Sequence, residues 1–233
     1  LTMISLASVA CQPRVVEGEK EVTITQVVEK TVEVEVEKIV EKEVEVTRIV
    51  EVVPTQVPTT LTVALSAEAE SMDPFYVYQQ AGGSIMEAIF DTLVGMDYDG
   101  SLVPGLAKSW TVVDDTTIEL ILREGVQFHN GEAFNAASVS FSVARMLDEE
   151  VNSAFRSNFT SIEEVEVVDD FTVRLHLSST DGTLFDRLTD LFMLPPEYVT
   201  EAGDTAIATD PVGTGPFKFV EWIPDDHVTL EAN

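Results

Sequence analysis

The chain has 233 residues, 45% of them apolar, enough for a sizeable core in one large domain or two small ones. With 13 Lys and Arg against 42 Asp and Glu its formal charge is −29, so it lacks the basic face that a nucleic-acid partner needs. Such acidity suits a cationic ligand or simply a highly soluble surface, and the single cysteine, Cys11, excludes an intrachain disulfide.

The first element is a run of apolar and small residues, Leu1 to Ala10, that ends at Cys11. It reads as a secretion signal without its basic beginning, residues 1–11 forming a truncated signal and lipobox. Ala10 before Cys11 fits a bacterial lipobox, in which the thiol receives lipid, although Ser8 stands where Leu is usual. Ser8-Val9-Ala10 also fits an ordinary signal-peptidase site cutting at the same bond. Both readings send the protein out of the cytoplasm, and the first anchors it to the membrane through Cys11. Nothing later in the sequence reaches the ~18 apolar residues of a membrane span.

Residues 12–60 differ from the rest. From Val27 to Val46 the chain is built almost wholly of Val, Glu, Lys and Ile, with no Gly, Pro or aromatic residue. Alternation at Val32, Val34 and Val36 has a strand period, whereas Val28, Val32, Val36, Val40 and Val44 form a helical stripe. Such a segment buries no core alone, so it is expected to be an extended or self-associating stalk closed by Pro54 and Pro58.

Alternating Leu61 to Ser66 is expected to be a buried strand, followed by a turn at Ser71–Pro74. Gly82-Gly83 precede a helical stripe of Ile85, Met86, Ile89, Phe90 and Leu93. Asp97–Gly100 forms another turn, and Asn135 is the natural N-cap of a helix carrying Val139, Val143, Met146 and Leu147 on one face. Val112 to Leu122 is echoed by Val167 to Leu177, and more loosely by Ile223 to Leu230. Each is a strand, an Asp-Asp turn and an alternating strand. Together they predict three hairpins in a mixed sheet, with the aspartates serving turn chemistry rather than acid–base catalysis.

Catalytic and metal chemistry find little footing. His129, His176 and His227 are the only histidines and have no metal-ligand spacing, so His129 is expected to be hydrogen-bonded in a loop. A metal-dependent hydrolase using His129 is the enzymatic alternative. Gly213 and Gly215 lack a phosphate-loop context, since Pro216 opens a strand, and are expected to allow close backbone packing. There is no Gly-x-Ser-x-Gly elbow, so no enzyme and no cofactor is expected.

Several blocks in order resemble the family of extracellular solute-binding proteins that serve oligopeptide, dipeptide and nickel importers. They are Leu61–Leu65 with Met72-Asp73-Pro74, Ile89–Val94, Leu102–Trp110, Leu122–Gly131 and Asp210–Trp222. The resemblance covers residues 61–233. It implies a mixed α/β (α+β) fold, a type II periplasmic-binding-protein-like lobe with an inserted subdomain and the second lobe missing. Residues 61–73 and about 195–233 would form lobe one, with about 74–194 inserted. It also implies a function: capture of a peptide or related small solute outside the cytoplasmic membrane and delivery to the permease of an ABC importer. The segment after the first strand is the candidate for cleft contacts, through Ser66, Glu68, Glu70, Tyr76 and Tyr78. A membrane-anchored surface scaffold or adhesion module without a transport role is the alternative.

Overall fold

In the computed structural model residues 60–77, 80–153 and 155–233 are described, so Cys11, the stalk and Tyr78 lie outside the described residues. The unit Thr62–Asn233 is described by itself. Leu61–Ser66 is not the buried strand that its alternation suggested. It forms no ladder, and Leu61, Val63 and Leu65 are exposed. Period-two alternation fits a side chain to a pleated surface, but a strand also needs a neighbour for its N–H and C=O groups, and no described segment pairs with this one.

The stripe from Ile85 to Leu93 is buried as expected, on α1 (Gln80–Ile89) and the turn after it. The helix begins before the two glycines rather than after them. A Cβ on Gly82 would stand 2.5 Å from Val77 Cγ1, so its absence lets the helix lie against the incoming chain. Next, β1 (Val94–Met96) and β2 (Leu102–Pro104) form a short hairpin. Its turn closes with Gly100 N–H donating to Asp97 O at 2.9 Å, and Gly100 has φ +81°.

The two echoed sequences become two antiparallel hairpins, β3 (Ala107–Asp114) with β4 (Thr117–Leu122) and β5 (Ile162–Asp169) with β6 (Thr172–Leu177). They join through their second strands into one sheet of order β3-β4-β6-β5. At each tip the first aspartate makes an Asx turn. Asp114 Oδ1 accepts from Thr116 N–H at 2.9 Å, and Asp169 Oδ1 from Phe171 N–H at 2.8 Å. Registers and bulges of the two hairpins correspond position by position, and the joining register, Thr117↔His176 through Ile121↔Thr172, is symmetric about Glu119↔Arg174.

One face of this sheet buries Ile118, Leu120, Leu122, Val173, Leu175 and Leu177, with α2 (Ala136–Leu147) packed across it. Asn135 caps α2 as its sequence predicted, in a reciprocal capping box with Ser138. On the other face Arg174 lies 2.9 Å from Glu119 and 3.6 Å from Glu166, which in turn is 2.8 Å from His176 Nε2.

The remaining chain forms three short helices, α3 (Leu184–Arg187), α4 (Pro196–Ala202) and α5 (Asp204–Ile207). It ends in the hairpin β7 (Phe217–Ile223) with β8 (His227–Ala232). This third hairpin does not enter the larger sheet as expected. It is a separate two-stranded sheet whose Phe219, Trp222, Val228 and Leu230 pack on the core, with β7 against α1. Helix contacts supply the burial that a third strand would have provided, and the larger sheet is antiparallel throughout rather than mixed.

Candidate ligand-contact segment

The chain from Ser66 to Val77 follows an irregular path, exposed at its start and largely buried from Met72 on, that is fixed at three places. At its start Ser66, Glu68 and Glu70 are exposed. Glu68 is nonetheless engaged: its Oε1 accepts from Trp222 Nε1–H at 3.1 Å and from Asp225 N–H at 2.9 Å. The segment is thereby tied to the tip of the β7–β8 hairpin.

The second anchorage is main-chain: Met72, fully buried, donates its N–H to Ala208 O at 3.1 Å. Asp73-Pro74-Phe75-Tyr76 then makes a turn closed by Tyr76 N–H to Asp73 O at 3.1 Å. Asp and Pro suit its first two positions, Pro because its fixed φ matches the turn. Asp73 Oδ1 also accepts from Phe75 N–H at 3.0 Å.

The third anchorage is a buried ion pair. Arg145, on α2, approaches Asp73 with both terminal nitrogens, Nη2 to Oδ2 at 2.6 Å and Nη1 to Oδ1 at 3.3 Å. The two side chains are only 5% and 1% exposed. The guanidinium carbon also lies 5.1 Å from the centre of the Phe75 ring, within cation–π range. Beside this pair Ser153 Oγ donates to Phe75 O at 2.7 Å, and Tyr76 Oη donates to Val151 O. The turn is thus held from behind by α2 and the loop that follows it.

Of the five sequence-predicted contact residues, the structure places Ser66, Glu68 and Glu70 together on the exposed start of the segment. Half-buried Tyr76 has its hydroxyl turned to Val151, and Tyr78 lies outside the described residues. None of the four described ones lines the cavity of about 420 Å³ between α2 and α4, which is bordered by Phe141, Arg145, Asp148 and Val199. Sequence reasoning missed Arg145. Its signal was that it is the only charged residue in the Ala136–Leu147 helix and sits beside core residue Met146.

The second block that singled itself out, Gly213-Thr214-Gly215, closes against the end of α1. A Cβ on Gly213 would lie 2.0 Å from Ile89 O and one on Gly215 2.7 Å from Ala88 O, so both positions admit only hydrogen. Gly215 N–H donates to Ile89 O at 2.8 Å, and Thr214 Oγ1 donates to Asp91 Oδ2 at 2.9 Å. His129 completes this join, as expected of a loop histidine. Its N–H donates to Gly213 O at 2.8 Å, Nε2 lies 2.9 Å from Gly215 O, and Nδ1 accepts from Gly213 N–H at 3.4 Å. That pattern uses one ring donor and one ring acceptor, which is the neutral imidazole. Burial pushes the His129 proton affinity below the ordinary imidazole range, against the hydrogen bond to Gly215 that favours the charged form.

Residues 101–233 match the family model described as bacterial extracellular solute-binding proteins, family 5 Middle, which is more than half of the chain. The chain belongs to this family. Among its relatives, the glutathione-binding protein GsiB of Pectobacterium atrosepticum is 31% identical over 172 residues, 72% of this chain and 33% of the relative. The structure of the PBP AgaA in complex with agropinic acid, from A. tumefacien R10, superposes with a TM-score of 0.68 at 31% identity, over 72% of this chain and 34% of that one. The periplasmic binding protein DppA of Helicobacter pylori in complex with peptide STSA gives 0.66 at 29%, over 72% and 38%. The chain therefore spans about a third of the length of the solute-binding relatives it matches. Its mixed α/β fold is that of type II periplasmic binding proteins.

Proposed function

We propose that this family 5 chain is part of the substrate-binding component of an ABC-type importer, which captures a peptide or related small solute outside the cytoplasmic membrane and hands it to the permease. The observation that carries this reading is the family match over residues 101–233 together with the superposition on ligand-bound binding proteins. Peptide is preferred among solutes because GsiB is named for glutathione and the DppA structure holds a peptide. Binding rather than catalysis also agrees with the local chemistry, in which His129 and the first aspartate at the tips of the two echoed hairpins are engaged in structural hydrogen bonds.

In this reading residues 61–73 and about 195–233 contribute to lobe one and about 74–194 form an inserted subdomain. Ser66, Glu68, Glu70, Tyr76 and Tyr78 mark the lobe-one side of the cleft, and a lipid on Cys11 holds the protein at the membrane. Closure of two lobes on the solute is favoured because the closed form binds it better. The test is calorimetric titration of the protein encoded by the complete reading frame with di- to tetrapeptides and glutathione. Saturable one-to-one binding is expected there, and much weaker binding by residues 59–233 alone. Absence of heat with every peptide, together with unchanged peptide uptake in a deletion strain, would sink the proposal. Metabolic labelling with palmitate, lost in Cys11→Ala, tests the anchor.

A further inference from the structure

The tip of the β7–β8 hairpin gathers more negative charge than its turn needs. Its connection, Pro224-Asp225-Asp226, is closed by Asp226 N–H to Ile223 O at 3.1 Å, with Asp225 in the left-handed region at φ +63°. His227 follows, and both of its ring nitrogens face carboxylates: Nδ1 lies 3.1 Å from Asp226 Oδ2 and Nε2 3.4 Å from Glu221 Oε1. Both contacts are hydrogen bonds only if both nitrogens carry hydrogen, which defines the imidazolium. In the neutral ring one nitrogen presents a lone pair to a carboxylate instead. The same turn is where Glu68 attaches, through Trp222 Nε1–H and Asp225 N–H.

We propose that His227 is a proton-operated catch that holds the exposed start of the segment, Ser66 to Glu70, against the tip of the β7–β8 hairpin. The titratable groups assembled there are Glu221 from β7, Asp225 and Asp226 from the turn, and Glu68 from the segment that crosses it. Lys218, the hairpin's other basic residue, stands at the opposite end opposite Glu231, where its charge acts on His129. Protonated His227 therefore supplies the positive charge that lets four carboxylates share one turn. When it is neutral, one of its contacts becomes repulsive, Asp226 and Glu221 move apart, and the Asp225 N–H and Trp222 indole no longer hold Glu68.

The sign follows from the neighbours. Hydrogen bonds from His227 to Asp226 and then Glu221 raise its proton affinity above the ordinary imidazole range, so the catch is complete in mild acid. It is lost as pH rises through the folded-state value. The groups are solvent-exposed, so high salt weakens the effect. The consequence for ligand capture rests on the reading under Proposed function, in which this segment borders the cleft. The catch itself is measured with no ligand present.

The reporter is built in, since Trp222 is one of only two tryptophans. In the full chain labelled with ¹⁵N-tryptophan, the Trp222 indole resonance is expected to titrate with a midpoint above that of free imidazole, while Trp110 stays still. In His227→Gln it should rest at its alkaline position throughout, and in His227→Lys, which keeps the charge, at its acid position. Glu68→Ala, which removes the acceptor, should give the released position at every pH. A Trp222 resonance that does not move in the unaltered protein, or that titrates identically in His227→Gln, overturns the proposal.

Discussion

Replacing Arg145 by Met leaves the Asp73 carboxylate, 1% exposed, without its counter-ion, while the methionine roughly fills the space of the arginine stem. One partner of a buried ion pair removed alone costs about 3–5 kcal/mol, because the remaining charge is both desolvated and unpaired. The hydrogen bond from Phe75 N–H persists and offsets part of this, whereas loss of the contact with the Phe75 ring adds to it. Against a typical domain stability of about 5–15 kcal/mol this is a large fraction. Urea unfolding followed by circular dichroism and tryptophan fluorescence measures it. Arg145→Lys, which keeps the charge but not the two-pronged contact, should lose less and guards against a variant that fails to fold. Asp73→Asn combined with Arg145→Met should recover part of the loss, since it removes the unpaired buried charge and leaves only a buried amide short of an acceptor. Amide exchange at Phe75 and Tyr76 should accelerate in the single variant, because these amides belong to the turn that the pair secures. A cost below about 1 kcal/mol, the range of a surface pair, or a double variant no better than the single one, would refute the reasoning.

Gly213→Ala forces a methyl to within 2.0 Å of Ile89 O and should cost at least the upper end of the ~1–3 kcal/mol typical of overpacking. Gly131→Ala, at φ +89° with open space around it, should cost only the ~1–2 kcal/mol of left-handed strain, so melting temperatures should rank the two in that order. His129 is held neutral by burial, so the unfolded chain binds its proton more readily, and stability should fall as pH drops below the ordinary imidazole value. The melting temperature measured from pH 7.5 to 5 should therefore decline, and less so in His129→Asn. Asn135→Ala removes the cap from α2 and should cost about 1 kcal/mol by urea titration, with Asn135→Ser close to neutral.

The two echoed hairpins were legible because both announce themselves twice, by alternation and by an Asp-Asp turn whose first side chain bonds locally. The α2 cap was legible for the same reason: a capping interaction spans three residues. Longer-range facts were not. The alternation of Leu61, Val63 and Leu65 states a strand's facing preference but names no neighbour, and the structure supplies none among the described residues. Gly82 inside α1 is explained only by Val77 packing beside it, a contact created by the fold. In the candidate segment nothing in the sequence signalled the long-range partners that hold it. Glu68 read as a candidate ligand contact because it lies in the segment after the first strand, and its partners Trp222 and Asp225 lie some 150 residues away. Arg145 was hidden by the expectation that an arginine on a helix faces water, which its pairing with Asp73 overrides.

The central ion pair of the four-stranded sheet also limits which hairpins fit together. Glu119 and Arg174 hold the same position in two hairpins of matching register and bulges, and they face one another at the centre of the joining ladder. Were the second hairpin an exact copy of the first, glutamate would confront glutamate at that point, where like charges oppose pairing. Alike in backbone, the halves are made complementary by a single reversal of sign, so either hairpin selects the other over a duplicate of itself.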